Sequence, residues 1–210
     1  MPSDSNAVIV GIHVRSPDAL FSPPYFSHPS TAHEIYFVKL EDGSSDDILQ
    51  GKILQNIHFR SGYAFLPNAR PGRYAAIGCT FYFSGFHGST IQTTVLFNRA
   101  LITRLTRTIA PGTVALLGNI VVDWERVTRE SDFDDAQQHY FRELTGKDIR
   151  PALEENRFLG IQGPLYEGKS GRLKQEYPRD LASRQFLNIL LQGLPTAWKP
   201  WFDHSGGPEP

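Results

Sequence analysis

Between Ala7 and Asp123 the chain is cut into short apolar or alternating runs by Gly, Pro, Asn and Ser, and this punctuation limits the fold more than any other feature. Runs this short match strands better than helices. Strands are predicted at Ala7 to Val14, Ile35 to Glu41, Lys52 to His58, Tyr63 to Leu66, Arg73 to Phe83, Thr90 to Phe97, Ala100 to Thr108 and Thr113 to Asp123. That number suffices for two packed sheets, so the expected fold is mainly β, an antiparallel β-sandwich with a C-terminal helical extension packed on it.

The connections carry turn chemistry. Ser84-Gly85-Phe86-His87-Gly88 offers two glycines able to adopt positive φ and is expected to join two aromatic strands as a hairpin. Pro71-Gly72 and Pro111-Gly112 each precede a strand and suit the centre of a type II turn. The 14 Phe and 8 Tyr point the same way, because rings favour pleated, half-buried surfaces.

After Trp124 the pattern changes. Ser131 is read as an N-cap followed by Asp132, Asp134 and Asp135, and Phe133, Ala136, Tyr140, Phe141 and Leu144 recur at helical spacing until Gly146. A second helix is predicted from Arg179 to Gln192, with Leu181, Phe186, Ile189 and Leu190 on its apolar side, stopped by Gly193 and Pro195. Gly160 to Tyr177 reads as a surface loop, and Trp198 and Trp201 as rings pinning the C-terminus to the body. The expected organisation is a β-sandwich domain over 7–124, a helical extension over 125–203 and a disordered tail over 204–210.

Charge excludes some partners. The 21 basic and 22 acidic side chains nearly cancel, so no overall field draws the protein to nucleic acid or to an anionic membrane. The single cysteine, Cys79, excludes an intrachain disulfide and is expected to be a buried, small apolar residue in a strand. No apolar run reaches the roughly 20 residues needed to span a bilayer, and the first residues lack the pattern of a signal peptide.

Few motifs carry chemistry. Gly163 to Ser170 satisfies the P-loop expression, in which Lys169 would reach the phosphates and Ser170 a magnesium ion. Its context argues against that role, since Gly171 follows at once and Pro178 limits any helix, and an exposed loop is the plain alternative. His13, His28, His33, His58, His87, His139 and His204 are dispersed, with no H-x-x-x-H pair. His28 and His33 share a loop region with Asp18 and Glu34, which leaves a metal site open and its ligands unknown. No catalytic residues are assigned, no cofactor is expected, and the chain is read as a non-enzyme. Phe21, Tyr25 and Phe26 in one proline-stiffened loop, with Phe86 and His87 at the hairpin tip, are the candidate partner-binding residues.

Two segments carry a resemblance. Phe65 to Tyr74, with Pro71-Gly72-Arg73-Tyr74, resembles the Pro-Gly-x-Tyr segment of prealbumin-like and carboxypeptidase-regulatory-like β-sandwiches, and Ile109 to Ile120 is similar to a segment of uncharacterised bacterial envelope lipoproteins. The resemblance implies an inward-packing Tyr74 and a protein of the periplasm or cell envelope. It also implies membrane association only through an N-terminal lipid, although the sole cysteine here is Cys79 and there is no lipobox. The functional expectation is a non-enzymatic envelope module engaging a protein partner or surface component, with no nucleic acid. The alternative is a small-molecule or metal-binding protein, an enzyme among the options, that uses the loop histidines.

Overall fold

The computed structural model describes residues 6–17, 31–40, 48–49, 51–56, 58–84, 90–127, 129–146, 148 and 169–193. Its strands are β1 (Val8–Arg15), β2 (Glu34–Leu40), β3 (Lys52–Gln55), β4 (His58–Arg60), β5 (Tyr63–Ala69), β6 (Gly72–Ser84), β7 (Thr90–Phe97), β8 (Arg107–Ile109), β9 (Val114–Arg126) and β10 (Lys169–Glu176). The helices among the described residues are α1 (Arg99–Arg104), α2 (Asp135–Thr145) and α3 (Arg179–Gly193). All the strands belong to one sheet, ordered β3-β2-β6-β7-β10-β9-β1-β5-β4, with β8 paired to β6.

The expected antiparallel sandwich is therefore corrected to a single mixed sheet curled into a half-barrel. Two neighbouring pairs are parallel, β1 with β9 and β7 with β10, and a parallel pair needs a long crossover that sequential hairpins cannot provide. The two ends of the strand order, β3 and β4, are separated in the chain only by Asn56 and Ile57. Asn56 holds this junction. Its Oδ1 accepts from the Ile35 N–H at 2.7 Å, and its Nδ2 donates to the carbonyls of His33 and His58 at 3.2 Å each. Asn56→Ala is expected to lower stability by about 1–2 kcal/mol in denaturant titration, because it removes the acceptor of the Ile35 N–H in β2 and the donor to the His33 and His58 carbonyls. Asn56→Asp should restore part of this through the retained oxygen.

The concave side is filled by even-numbered residues of β1, Val8, Val10, Ile12 and Val14, together with Phe37, Tyr74, Phe81, Phe97 and Trp124. Phe81 and Trp124 stack at 4.9 Å. Cys79 is fully buried among them, and burial pushes its thiol pKa well up, which makes it an inert core residue as expected. Tyr74 packs inward and its hydroxyl donates to the Arg70 carbonyl at 2.6 Å. Gly112 has φ +70, as the second central residue of a type II turn requires. The β6–β7 hairpin forms as expected, with Gly78 opposite Leu96 through to Ser84 opposite Thr90.

Two segments depart from expectation. Ala100 to Thr108, predicted as a strand, begins instead as α1, because the Asn98 side chain accepts from the Leu101 N–H at 2.9 Å and caps the helix. Leu101, Ile102 and Leu105 then bury together in the core, and only Arg107–Ile109 remains extended. Gly160 to Tyr177, predicted as a loop, contains β10, seated between β7 and β9. Arg172 stays exposed and pairs with Glu125 of the neighbouring β9 at 2.8 Å. Gly171 is required where the strands approach closely, since a Cβ there would lie 2.6 Å from Val95 Cγ1.

Helix α2 ends at Gly146 (φ +68) as predicted, but its N-cap is Asp134, not Ser131. Ser131 lies in a single 3-10 turn, Glu130–Asp132. Asp134 accepts from the Gln137 N–H while Gln137 Oε1 accepts from the Asp134 N–H, a reciprocal capping box. Buried Gln137 also donates to the Leu96 carbonyl and to Ser170 Oγ, both at 2.9 Å, which ties α2 to β7 and β10. Among the described residues no helix is long and apolar enough to cross a membrane.

Candidate functional site

The odd-numbered residues of β1 face away from the main core. Ile9 joins Tyr63, Phe65, Leu116, Ala182, Phe186 and Leu190 in a second apolar cluster under α3. Gly11 allows this seat: a Cβ there would stand 2.2 Å from Phe186 Cζ, so the ring occupies the space a side chain would take. Beyond Gly11, along the same face, come His13 and Arg15.

A β-bulge supplies their neighbour. In the β1–β9 pair Gly11 lies opposite Leu116, but His13 lies opposite Asn119, one residue further than simple pairing allows. The extra residue shifts the alternation of β9, so that Asn119 comes to lie beside Arg15. On the other side β4 and β5 turn through Ser61 (φ +48) and Gly62 (φ +87), the two positive angles of a type I′ hairpin, and this sets Tyr63 against His13 with ring centroids 4.7 Å apart.

These residues floor a cleft of about 530 Å³, walled by α3. The wall presents Leu181, Ala182, Gln185, Asn188, Ile189 and Gln192, and Tyr177 and Pro178 close one end. The guanidinium of Arg15 lies 4.2 Å above the Tyr177 ring, and its Nη2 makes a long 3.4 Å bond to Asn119 Oδ1. Two polar atoms stay buried without a hydrogen-bond partner among the described residues, Arg15 Nε and His13 Nδ1. Buried polar groups are nearly always paired, so this concentration in one cleft singles the place out. Leu181, expected on the apolar face of the second helix, is instead 59% exposed at the cleft, whereas Phe186 and Leu190 bury as expected and Ala182 joins them.

Burial, and secondarily the charge of Arg15, pushes the pKa of His13 down to about 4 from its ordinary 6.5. The folded protein thus holds His13 neutral where the unfolded chain protonates it. Stability from this group is complete above about pH 6.5 and is lost as pH falls towards 4. Comparing wild type with His13→Gln, the wild type is expected to lose roughly 1–3 kcal/mol more between pH 7 and pH 4, a range that allows for partial exposure. Parallel stability–pH curves for the two proteins would contradict the assignment.

A second groove of about 300 Å³ lies by Glu34, Tyr36, Gln92, Thr94 and Lys169. Glu34, Tyr36 and Thr94 of its lining are already paired: Tyr82 and Tyr36 donate to Glu34 at 2.6 and 3.3 Å, and Tyr36, Thr80 and Thr94 continue the chain at 2.9 and 3.0 Å. The bond to Glu34 is the main reason the Tyr82 phenol pKa is pushed up to about 12. Among the described residues this groove has no buried, unpaired group to offer a ligand of the kind found beside Arg15.

The residues singled out by sequence alone fare unevenly. Phe21, Tyr25, Phe26, Phe86 and His87 lie outside the described residues, as do His28, His204, Trp198 and Trp201. His33 stacks on Phe59 at 5.0 Å and His58 on Phe65 at 5.4 Å, and among the described residues no group of three or more His, Cys, Asp or Glu could hold a metal ion. Lys169 and Ser170 open a strand, where a P-loop needs the start of a helix, and residues 163–168 are outside the described set. The His13–Arg15 pair belongs to no motif, and its one signal in the sequence is alternation with Ile12 and Val14, which marks a polar face of an otherwise apolar strand.

Scans against protein-family models, curated proteins and solved structures find no match for this chain. The fold and site define it only as a curled mixed-sheet scaffold carrying a polar cleft beneath its last described helix.

Proposed function

We propose that this protein is a non-enzymatic binding module whose ligand is a small molecule with an anionic group, held in the cleft between β1 and α3. The observation that carries this reading is Arg15. Among the described residues lining the cleft it is the one formal charge at neutral pH, no carboxylate lines the cleft beside it, and its buried Nε–H has no acceptor. A partly buried cation with no countercharge and one unpaired N–H is costly, and an incoming anion relieves the cost. The size of the cleft falls in the range that encloses small organic ligands.

The non-enzymatic part rests on geometry at His13. Ser61 and His13 both line the cleft, but no carboxylate orients His13 Nδ1 and no hydrogen bond links it to Ser61, so no activated nucleophile is assembled among the described residues. The number of short strands and the resemblance both imply a sandwich, whereas the envelope location is implied by the resemblance alone. The sandwich is replaced by the mixed sheet, and the proposed function does not depend on the location.

Arg15→Gln is the direct test. In a thermal-shift screen of organic carboxylates, phosphates and sulfonates, anions that stabilise the wild type are expected to bind the variant about 10–100-fold more weakly. Equal stabilisation of both proteins would place anion binding elsewhere.

A further inference from the structure

Resting on that reading, we infer that the ligand of the His13–Arg15 cleft is a carboxylate borne on an apolar, ring-sized body, and that the cleft discriminates against phosphate. Charge points there first. Arg15 supplies a single positive charge, which balances a carboxylate, whereas a phosphate monoester carries nearly two negative charges at neutral pH. Phosphate sites recruit several cations or the free amides of a helix N-terminus. The first turn of α3 lies at one end of this cleft but is poorly suited to that task. Pro178 has no N–H, Asp180 already complements the helix end, and Arg179 is committed to Glu176 at 3.1 Å.

The shape of the donors agrees. A guanidinium matches a carboxylate as a planar fork, and this one is already held over Tyr177, which restricts the plane in which a bidentate partner would lie. His13 is neutral and can give or accept one hydrogen bond without adding charge. The remaining lining selects the body of the ligand. Tyr177, Leu181 and Ile189 offer aromatic and branched aliphatic surface, which fits an aromatic or aliphatic body better than a polyhydroxyl one.

Three probes with one body and different heads decide it: naphthoate, naphthyl phosphate and naphthamide, titrated by calorimetry into the full chain and into Arg15→Gln. Naphthoate is expected to bind at least about tenfold more tightly than either of the others, with that advantage lost in the variant. Tighter binding of naphthyl phosphate, still dependent on Arg15, would overturn the carboxylate assignment and leave the anion-binding reading standing. Equal affinity for all three, equal affinity in both proteins, or no binding of any probe would overturn both. Circular dichroism of the variant, expected to match wild type, separates loss of binding from loss of fold.

Discussion

Phe186→Ala is expected to cost about 3–5 kcal/mol of stability in chemical denaturation, the usual toll of truncating a buried ring. The ring is 1% exposed, lies on the bare backbone of Gly11, and packs between Tyr63 at 5.3 Å and Phe65 at 6.0 Å. It is the central apolar contact by which α3 sits on the sheet, so the cleft wall should loosen with it. Gly11→Ala attacks the same contact from the other side, since the new methyl would overlap the Phe186 ring, and overpacking of this kind costs about 1–3 kcal/mol. The two changes share one space. The double variant should therefore be more stable than the sum of the single losses predicts, and strict additivity would show that ring and glycine do not meet.

Tyr74→Ala is expected to cost about 3–5 kcal/mol, and Tyr74→Phe only about 1 kcal/mol. The ring fills the concave core at 1% exposure, and its hydroxyl closes the turn before β6 by donating to the Arg70 carbonyl. Loss of the ring empties the core where β6 pairs with both β2 and β8, whereas loss of the hydroxyl alone frees one carbonyl. A cost below about 1 kcal/mol for the alanine variant would show that the turn and strand are not built this way.

Much of this strand framework is legible in the sequence because it is local. The alternation of β1, the Pro-Gly entry to β6, the β6–β7 hairpin, and the Gly146 stop of α2 each depend on residues near one another in the chain. What stays hidden is tertiary. Nothing in the alternating, highly charged Lys169–Glu176 distinguishes a surface loop from a strand whose charges find partners such as Glu125 on the neighbouring β9. Likewise Ala100 to Thr108 has strand-like composition, and the Asn98 cap together with burial of Leu101, Ile102 and Leu105 tips it to helix. Many short strands suggest a sandwich, but two packed sheets and one curled sheet place the same demands on each run, and only the pairing partners distinguish them.

The site is less legible than the fold. His13 and Arg15 share a face by simple alternation, yet their companions arrive from elsewhere: Asn119 through a bulge, Tyr63 through a type I′ turn, and Tyr177 and α3 from the far end of the described chain. A single sequence shows each residue but not the convergence. The aromatic segments around Phe21 and Phe86 stand out because their composition is locally unusual, whereas the cleft is assembled from residues that are each ordinary where they stand.

If an anion enters the cleft beside Arg15, the Arg15 Nε–H reports on it directly. Its proton–nitrogen correlation signal should be followed by NMR during separate titrations with naphthoate and naphthyl phosphate, with the Arg15→Gln variant assigning the peak. A saturable downfield shift is expected with at least one of these anions as the orphaned donor gains a charged acceptor, accompanied by movement of the His13 and Asn119 amides. An Arg15 signal that stays fixed through both titrations, or shifts confined to residues remote from the cleft, would contradict anion binding at this site.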